Sequence, residues 1–162
     1  MARPLWHHFA PTVFRILQCT LGPQAPIDDA VQVVLLCVFQ RGRRLPARSD
    51  LRQLVMKVTA RIARAELRRR SLQRRRWALL SGREAETVQR FYRILDRLSA
   101  PDRVAFVLHY MEGLEVREVA AATGVSPART ARRLQRSVGK VIAGVQLDPA
   151  LRQTLRRGNA VT

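Results

Sequence analysis

The sequence is short of acid. Twelve Asp and Glu stand against 30 Lys and Arg in 162 residues, a formal net charge of +18. A field of that size costs stability by self-repulsion unless a polyanion absorbs it, which makes nucleic acid the first partner to consider and a membrane surface the second. Lysine is nearly absent as well, confined to Lys57 and Lys140. Arginine, which carries the rest, is the better fork for phosphate oxygens and guanine edges. No stretch approaches the roughly 18 apolar residues of a membrane span, and the N-terminus lacks a basic segment followed by an apolar run. A cytoplasmic protein without a membrane anchor is expected. The two cysteines, Cys19 and Cys37, have no CxxC partner and no histidine at metal-ligand spacing, so free thiols in the core are expected instead of a disulfide or metal site. His7, His8 and His109 suit surface or cap positions better than ligation. HExxH, a phosphate-binding glycine loop and GxSxG are all missing. Nothing nominates an enzyme, a cofactor or a small-molecule substrate.

Wherever the apolar spacing is clear it is helical, and no segment alternates as a strand does, so the fold class expected is all-α. A first helix is predicted from about Pro11 to Leu21, with proline in the first turn and Val13, Ile16, Leu17 and Thr20 on one face. A second begins at Asp28 and Asp29, acidic residues suited to the positive end of a helix, and reaches about Gln40. Its core stripe is Val31, Val34, Leu35 and Val38. The other side carries Val33, Leu36 and Cys37 beside Gln32 and Gln40, too apolar for water, so either the rest of the chain or a partner should cover it.

After the basic loop "RGRRLPARS", Ser49 or Asp50 caps a long helix through about Arg70. Leu51, Leu54, Val55, Val58 and Ile62 form its apolar stripe, and Lys57, Arg61, Arg64 and Arg68 fall on an adjacent one. Eight of the sixteen residues from Arg61 to Arg76 are arginine. Such a ridge repels itself in isolation, and Glu66 lies on a different face. Contact with nucleic acid accounts for the ridge better than a merely solvated surface does. From Ser71 to about Val88 the apolar periodicity lapses and the charge turns from basic to acidic, which marks a linker. Two small helical domains that fold separately are expected, over residues 1–72 and 88–146, joined by residues 73–87 and followed by a frayed basic tail over 147–162.

In the second half Phe91, Ile94, Leu95 and Leu98 make one apolar face. "SAPD" starts the next helix, with Ser99 as cap, and Gly113 stops it. A short helix from about Glu115 to Thr123 buries Val116, Val119 and Ala120. Then comes "GVSPARTARRLQR", thirteen residues with four arginines and no acid. "EVAAATGVSPARTARRLQR" has the layout of a helix-turn-helix: Ala120 at the crossing, Gly124 in the turn, Ser126 as N-cap, Pro127 in the first turn. On a helical wheel Ala131, Leu134, Val138 and Val141 share the packing face, and Arg129, Arg132, Arg133, Arg136 and Lys140 share the opposite one. That placement lets a helix enter a major groove, where arginine reaches guanine edges and phosphates.

With these motifs in view, the chain from about Phe9 to Val145 resembles a small sigma factor of the bacterial sigma-70 family, of the extracytoplasmic-function type. "DDAVQVVLLCVF" resembles the acidic-x-x-Val-Gln helix of that family's domain two, and "LRQLVMKVTARIARAELRRR" its promoter-melting helix. "LSAPDRVAFVLHYMEGLEVREVAAATGVS" resembles the opening of domain four, and "RRLQRS" its usual ending. The family usually begins with one more helix, of which only a fragment is expected before Phe9. The resemblance implies two partners, promoter DNA and core RNA polymerase, with an anti-sigma protein as a further candidate. It implies that Asp28, Asp29, Gln32, Val33 and Leu36 dock on the polymerase clamp, and that Lys57, Arg61, Arg64 and Arg68 bind and help open the −10 element. The Arg41 to Arg48 loop would lie near a flipped-out base. Arg129, Arg132, Arg133, Arg136 and Lys140 would bind DNA at the −35 element. The alternatives are a sigma-like helix-turn-helix regulator that does not recruit polymerase, for which Val33 in a usually acidic position speaks, and a general nucleic-acid-binding protein. Capture of core polymerase separates the first reading from the others.

Overall fold

The computed structural model describes residues 2–23, 25–42, 48–71 and 83–158. Among these there is no strand. Helix α1 spans Ala2–Leu21, α2 Asp28–Gly42 and α3 Arg48–Ser71. Helix α4 spans Arg83–Leu95 and α5 Ala100–Phe106, which continues into a π-helical stretch over Val107–Met111. The chain then forms α6 over Val116–Thr123, α7 over Pro127–Leu147 and α8 over Pro149–Gly158.

Helix α1 is longer than its sequence suggests. It starts at Ala2 and carries Pro11 in its interior, where a proline removes one backbone hydrogen bond. Burial of Val13, Ile16 and Leu17, all fully enclosed, outweighs that loss. Helices α1, α2 and α3 pack on one another around these residues and Val34, Val55 and Val58. Helix α3 begins before the expected cap, so Asp50 lies in its first turn, where the N-terminal backbone dipoles favour an acid. Cys19 and Cys37 are free and partly buried.

The second half is built from stop and start signals that work as the sequence implies. The Ser99 hydroxyl accepts a hydrogen bond from the Asp102 amide at 3.3 Å. Glu115 and Glu118 form a reciprocal capping box at the start of α6. Gly124 adopts φ 68°, a left-handed turn that ends α6, and Ser126 accepts from the Arg129 amide to begin α7. The expected tail is a helix instead: α8 packs on α7 and α4 and buries Leu151. Asp148 starts it, its carboxylate accepting from the amides of Ala150 and Leu151. Those amides, with Arg90 beside them, hold the Asp148 carboxyl below the usual range. A run of basic residues concealed the apolar period of only one turn.

The two halves are not apart. Helix α3 lies against α6 and α5, and α1 against the π-helical stretch. Val104, Ala105, Leu108, Val119 and Ala122 of the second half share one core with Val13, Ala60 and Ala63 of the first. A smaller core of Ile94, Leu95, Leu98, Phe106, Val141 and Leu151 belongs to the second half alone. The expectation of separately folding domains rested on the lapse in periodicity at Ser71 to Val88, most of which lies outside the described residues. The apolar residues that join the halves sit within the helices, where periodicity alone does not tell one neighbour from another.

Candidate nucleic-acid interface

Helix α7 is held by Thr130, Leu134, Ser137, Val141 and Gly144, all buried. This face is turned by one residue from the predicted one: Ala131 is exposed, and Val138 is only partly buried. At Gly144 the helix passes so close to α4 that an added Cβ would lie 2.6 Å from Ile94 Cγ2. The remaining circumference presents Arg129, Arg132, Arg136 and Lys140 to solvent.

Arg133 departs from the expected exposed set. Its side chain is 13% exposed, and its Nε lies 3.3 Å from Asp102 Oδ1 without pointing at it as a hydrogen bond would. Burial pulls the Arg133 guanidinium below its usual range; Asp102 opposes this, while Arg129, Arg136 and Arg64 add to it. The same Asp102 oxygen accepts from Arg136 Nη2 at 3.0 Å. Asp102 is therefore one buried carboxylate anchoring two arginines of α7. Sequence spacing reveals its role as a first-turn acid of α5 but not this one, because its cationic partners lie a whole helix away.

The α3 ridge presents Lys57, Arg61 and Arg68 to solvent, with Arg64 half-buried. Arg61 Nη2 lies 4.0 Å from Cys37 Sγ on α2. Glu66 is occupied by Arg69 and Arg70, which sit one turn further along, and those two hold its carboxyl below the usual range against the effect of burial. Arg61 and Arg64 line a shallow crevice whose other wall carries Thr123 and Arg133. The two basic faces, expected on separate units, are adjacent in this structure. Residues 43–47 of the basic loop lie outside the described residues.

On α2, Asp28, Asp29 and Gln32 are exposed, as are Val33 at 46% and Leu36 at 60%. Phe39, also 46% exposed, extends the strip by one turn. The sequence pattern alone does not assign it to this strip.

Residues 88–141, from α4 through two-thirds of α7, match the family model for sigma-70, region 4. Over this segment, a third of the chain, the sequence is similar to the helix-turn-helix, DNA-binding region of the sigma-70 family. That region is a regulatory module of promoter recognition and not an enzyme family. No curated protein matches the chain. No helix among the described residues is long and apolar enough to cross a membrane.

Proposed function

We propose that the chain is an RNA polymerase sigma factor of the extracytoplasmic-function type, which directs core polymerase to promoters through a −35 and a −10 element. The observation that carries this reading is the exposed arginine face of α7, in a segment of the sigma-70 region 4 family. Arg129, Arg132 and Arg136, with Lys140 further along, approach the −35 major groove. Asp102 holds Arg136 by a hydrogen bond, so this arginine is oriented instead of a loose cation, while Arg133 stays enclosed beside the same carboxylate. Lys57, Arg61, Arg64 and Arg68 bind phosphates about the melted −10 segment. No carboxylate pair or nucleophile is called on, because the task of a specificity subunit is placement.

The strip of Asp28, Asp29, Gln32, Val33, Leu36 and Phe39 on α2 docks on core polymerase. Its exposure supports this, since the reading that its own fold covers it leaves Leu36 and Val33 in water. The experiment is co-migration with core RNA polymerase in gel filtration. The parent chain co-migrates, and Leu36→Glu does not while keeping its helical circular dichroism. A chain that fails to join core polymerase at all is not a sigma factor, and the regulator reading takes its place.

A further inference from the structure

The crevice beside α3 gathers positive charge that neither basic face explains. Arg61 and Arg64 of α3, Thr123 at the end of α6 and Arg133 of α7 line it, above buried Ala60 and Val104. No acidic side chain is among its lining residues. Its space of about 210 Å³ includes the open mouth and falls below the roughly 300 to 1,000 Å³ of sites for drug-sized ligands, so it suits a small group and not a whole nucleoside.

Other arginines of α3 have acids to answer them. Arg52 pairs with Glu118, and Arg69 and Arg70 with Glu66, whereas Arg61 and Arg64 make no ion pair among the described residues. Asp102, 3.3 Å from Arg133 Nε, is shared with Arg136. That Nε is buried and has no hydrogen-bond partner. A buried donor without an acceptor is costly, and Arg64 adds like-charge repulsion to Arg133. The Thr123 hydroxyl donates to the Val119 carbonyl at 2.7 Å, which leaves guanidinium groups as the donors of the crevice. A guanidinium presents a planar fork that matches two phosphate oxygens, and here three of them, from two helices, border one small volume.

We propose that this crevice is a binding site for one phosphoryl group, held by Arg133 from one wall and by Arg61 and Arg64 from the other. Occupancy relieves the repulsion between Arg64 and Arg133 and supplies the acceptor that their surroundings lack. The group belongs either to a free phosphate ester or to the backbone of a bound nucleic acid. The site goes beyond the sigma-factor reading and does not require polymerase.

Pyrophosphate is the probe, titrated into the full chain by isothermal calorimetry at constant ionic strength, since a formal charge of +18 attracts any anion diffusely. Saturable binding of one pyrophosphate per chain is expected. Arg64→Gln and Arg133→Gln each weaken it by about tenfold or more, the loss that goes with a hydrogen bond to a charged group. Arg117→Gln removes the same charge from an exposed position on α6 outside the crevice and leaves the affinity unchanged. Thermal melting without ligand establishes that each variant is folded, and half-buried Arg64 decides alone where Arg133→Gln does not fold. Absence of saturable binding, or equal weakening by all three variants, overturns the site. A duplex with 5′-hydroxyl ends is then added to the loaded chain. Displacement of pyrophosphate assigns the site to backbone phosphates, retention assigns it to a free ester, and either upholds the phosphoryl site. Co-migration with core polymerase is read separately, so failure of the site leaves the sigma-factor reading standing.

Discussion

Asp102→Asn is the substitution whose cost follows most closely from the geometry. Asp102 is 95% enclosed at its side chain and offers one oxygen to both Arg133 and Arg136. Removing one member of a buried ion pair costs about 3 to 5 kcal/mol, because the survivor is left charged and dry. Two features reduce that figure here. Arg136 is 57% exposed and turns to water, and an asparagine oxygen still accepts one hydrogen bond. Arg133, with 13% of its side chain exposed and Arg129, Arg136 and Arg64 nearby, has no such exit. About 2 kcal/mol remains, which for a chain of this size lowers the melting temperature by roughly 4 to 8 °C. Calorimetry at neutral pH and low salt reads it, with Arg136→Ala as a control that changes little. DNA binding supplies a second readout. The variant is more basic than the parent, so binding to arbitrary duplex holds, while discrimination between duplexes declines as Arg136 loses its anchor. A melting temperature within a degree of the parent would falsify the anchoring role.

Three further outcomes follow from other sites. Gly139 and Gly144 share helix α7, but only Gly144 faces a neighbour within 4 Å. Gly139→Ala should therefore stabilise by up to about 1 kcal/mol through helix propensity, and Gly144→Ala should destabilise by roughly 1 to 3 kcal/mol through overpacking on Ile94; equal shifts in chemical melts would contradict the packing at α4. The Glu66 carboxyl is held below its unfolded value, so its contribution is present above about pH 4.3 and is lost as the pH falls through the lower folded value. Glu66→Gln should flatten that part of the acid unfolding curve, and an unchanged curve would mean that Arg69 and Arg70 gain nothing from the pair. Arg132→Ala should lose sequence preference on a −35 duplex, by about 1 to 3 kcal/mol per bidentate contact. Lys57→Ala should instead lower the salt slope by about 0.9 and impair strand opening. Uniform loss for all sequences by both variants would make the arginines plain phosphate neutralisers.

Much of this was legible in the chain because the signals are local. Ser99, Gly124 and Ser126 act over three or four residues, and each does in the structure what its position implies. The exposed strip at Val33 and Leu36 is visible as an apolar face with no stripe-mate. The errors share a cause. Pro11 looks like a helix start in the sequence because its local cost is plain, whereas the burial of Val13, Ile16 and Leu17 that offsets it is tertiary. Arg133 falls on the exposed side of a helical wheel because the wheel ignores Asp102, 31 positions earlier. The contact of α3 with α6 depends on small residues, Ala60, Ala63 and Ala122, that carry little periodic signal and matter because they let helices approach.

Promoter selection by core RNA polymerase is the activity proposed for this chain. Run-off transcription from a library of duplexes randomised at the −35 and −10 positions, with purified core polymerase and the chain, measures that directly. Transcripts enriched for one sequence at each element are expected, with the −35 preference erased by Arg132→Ala and all enrichment erased by Leu36→Glu. Transcripts no more abundant or selective than those from core polymerase alone would contradict it.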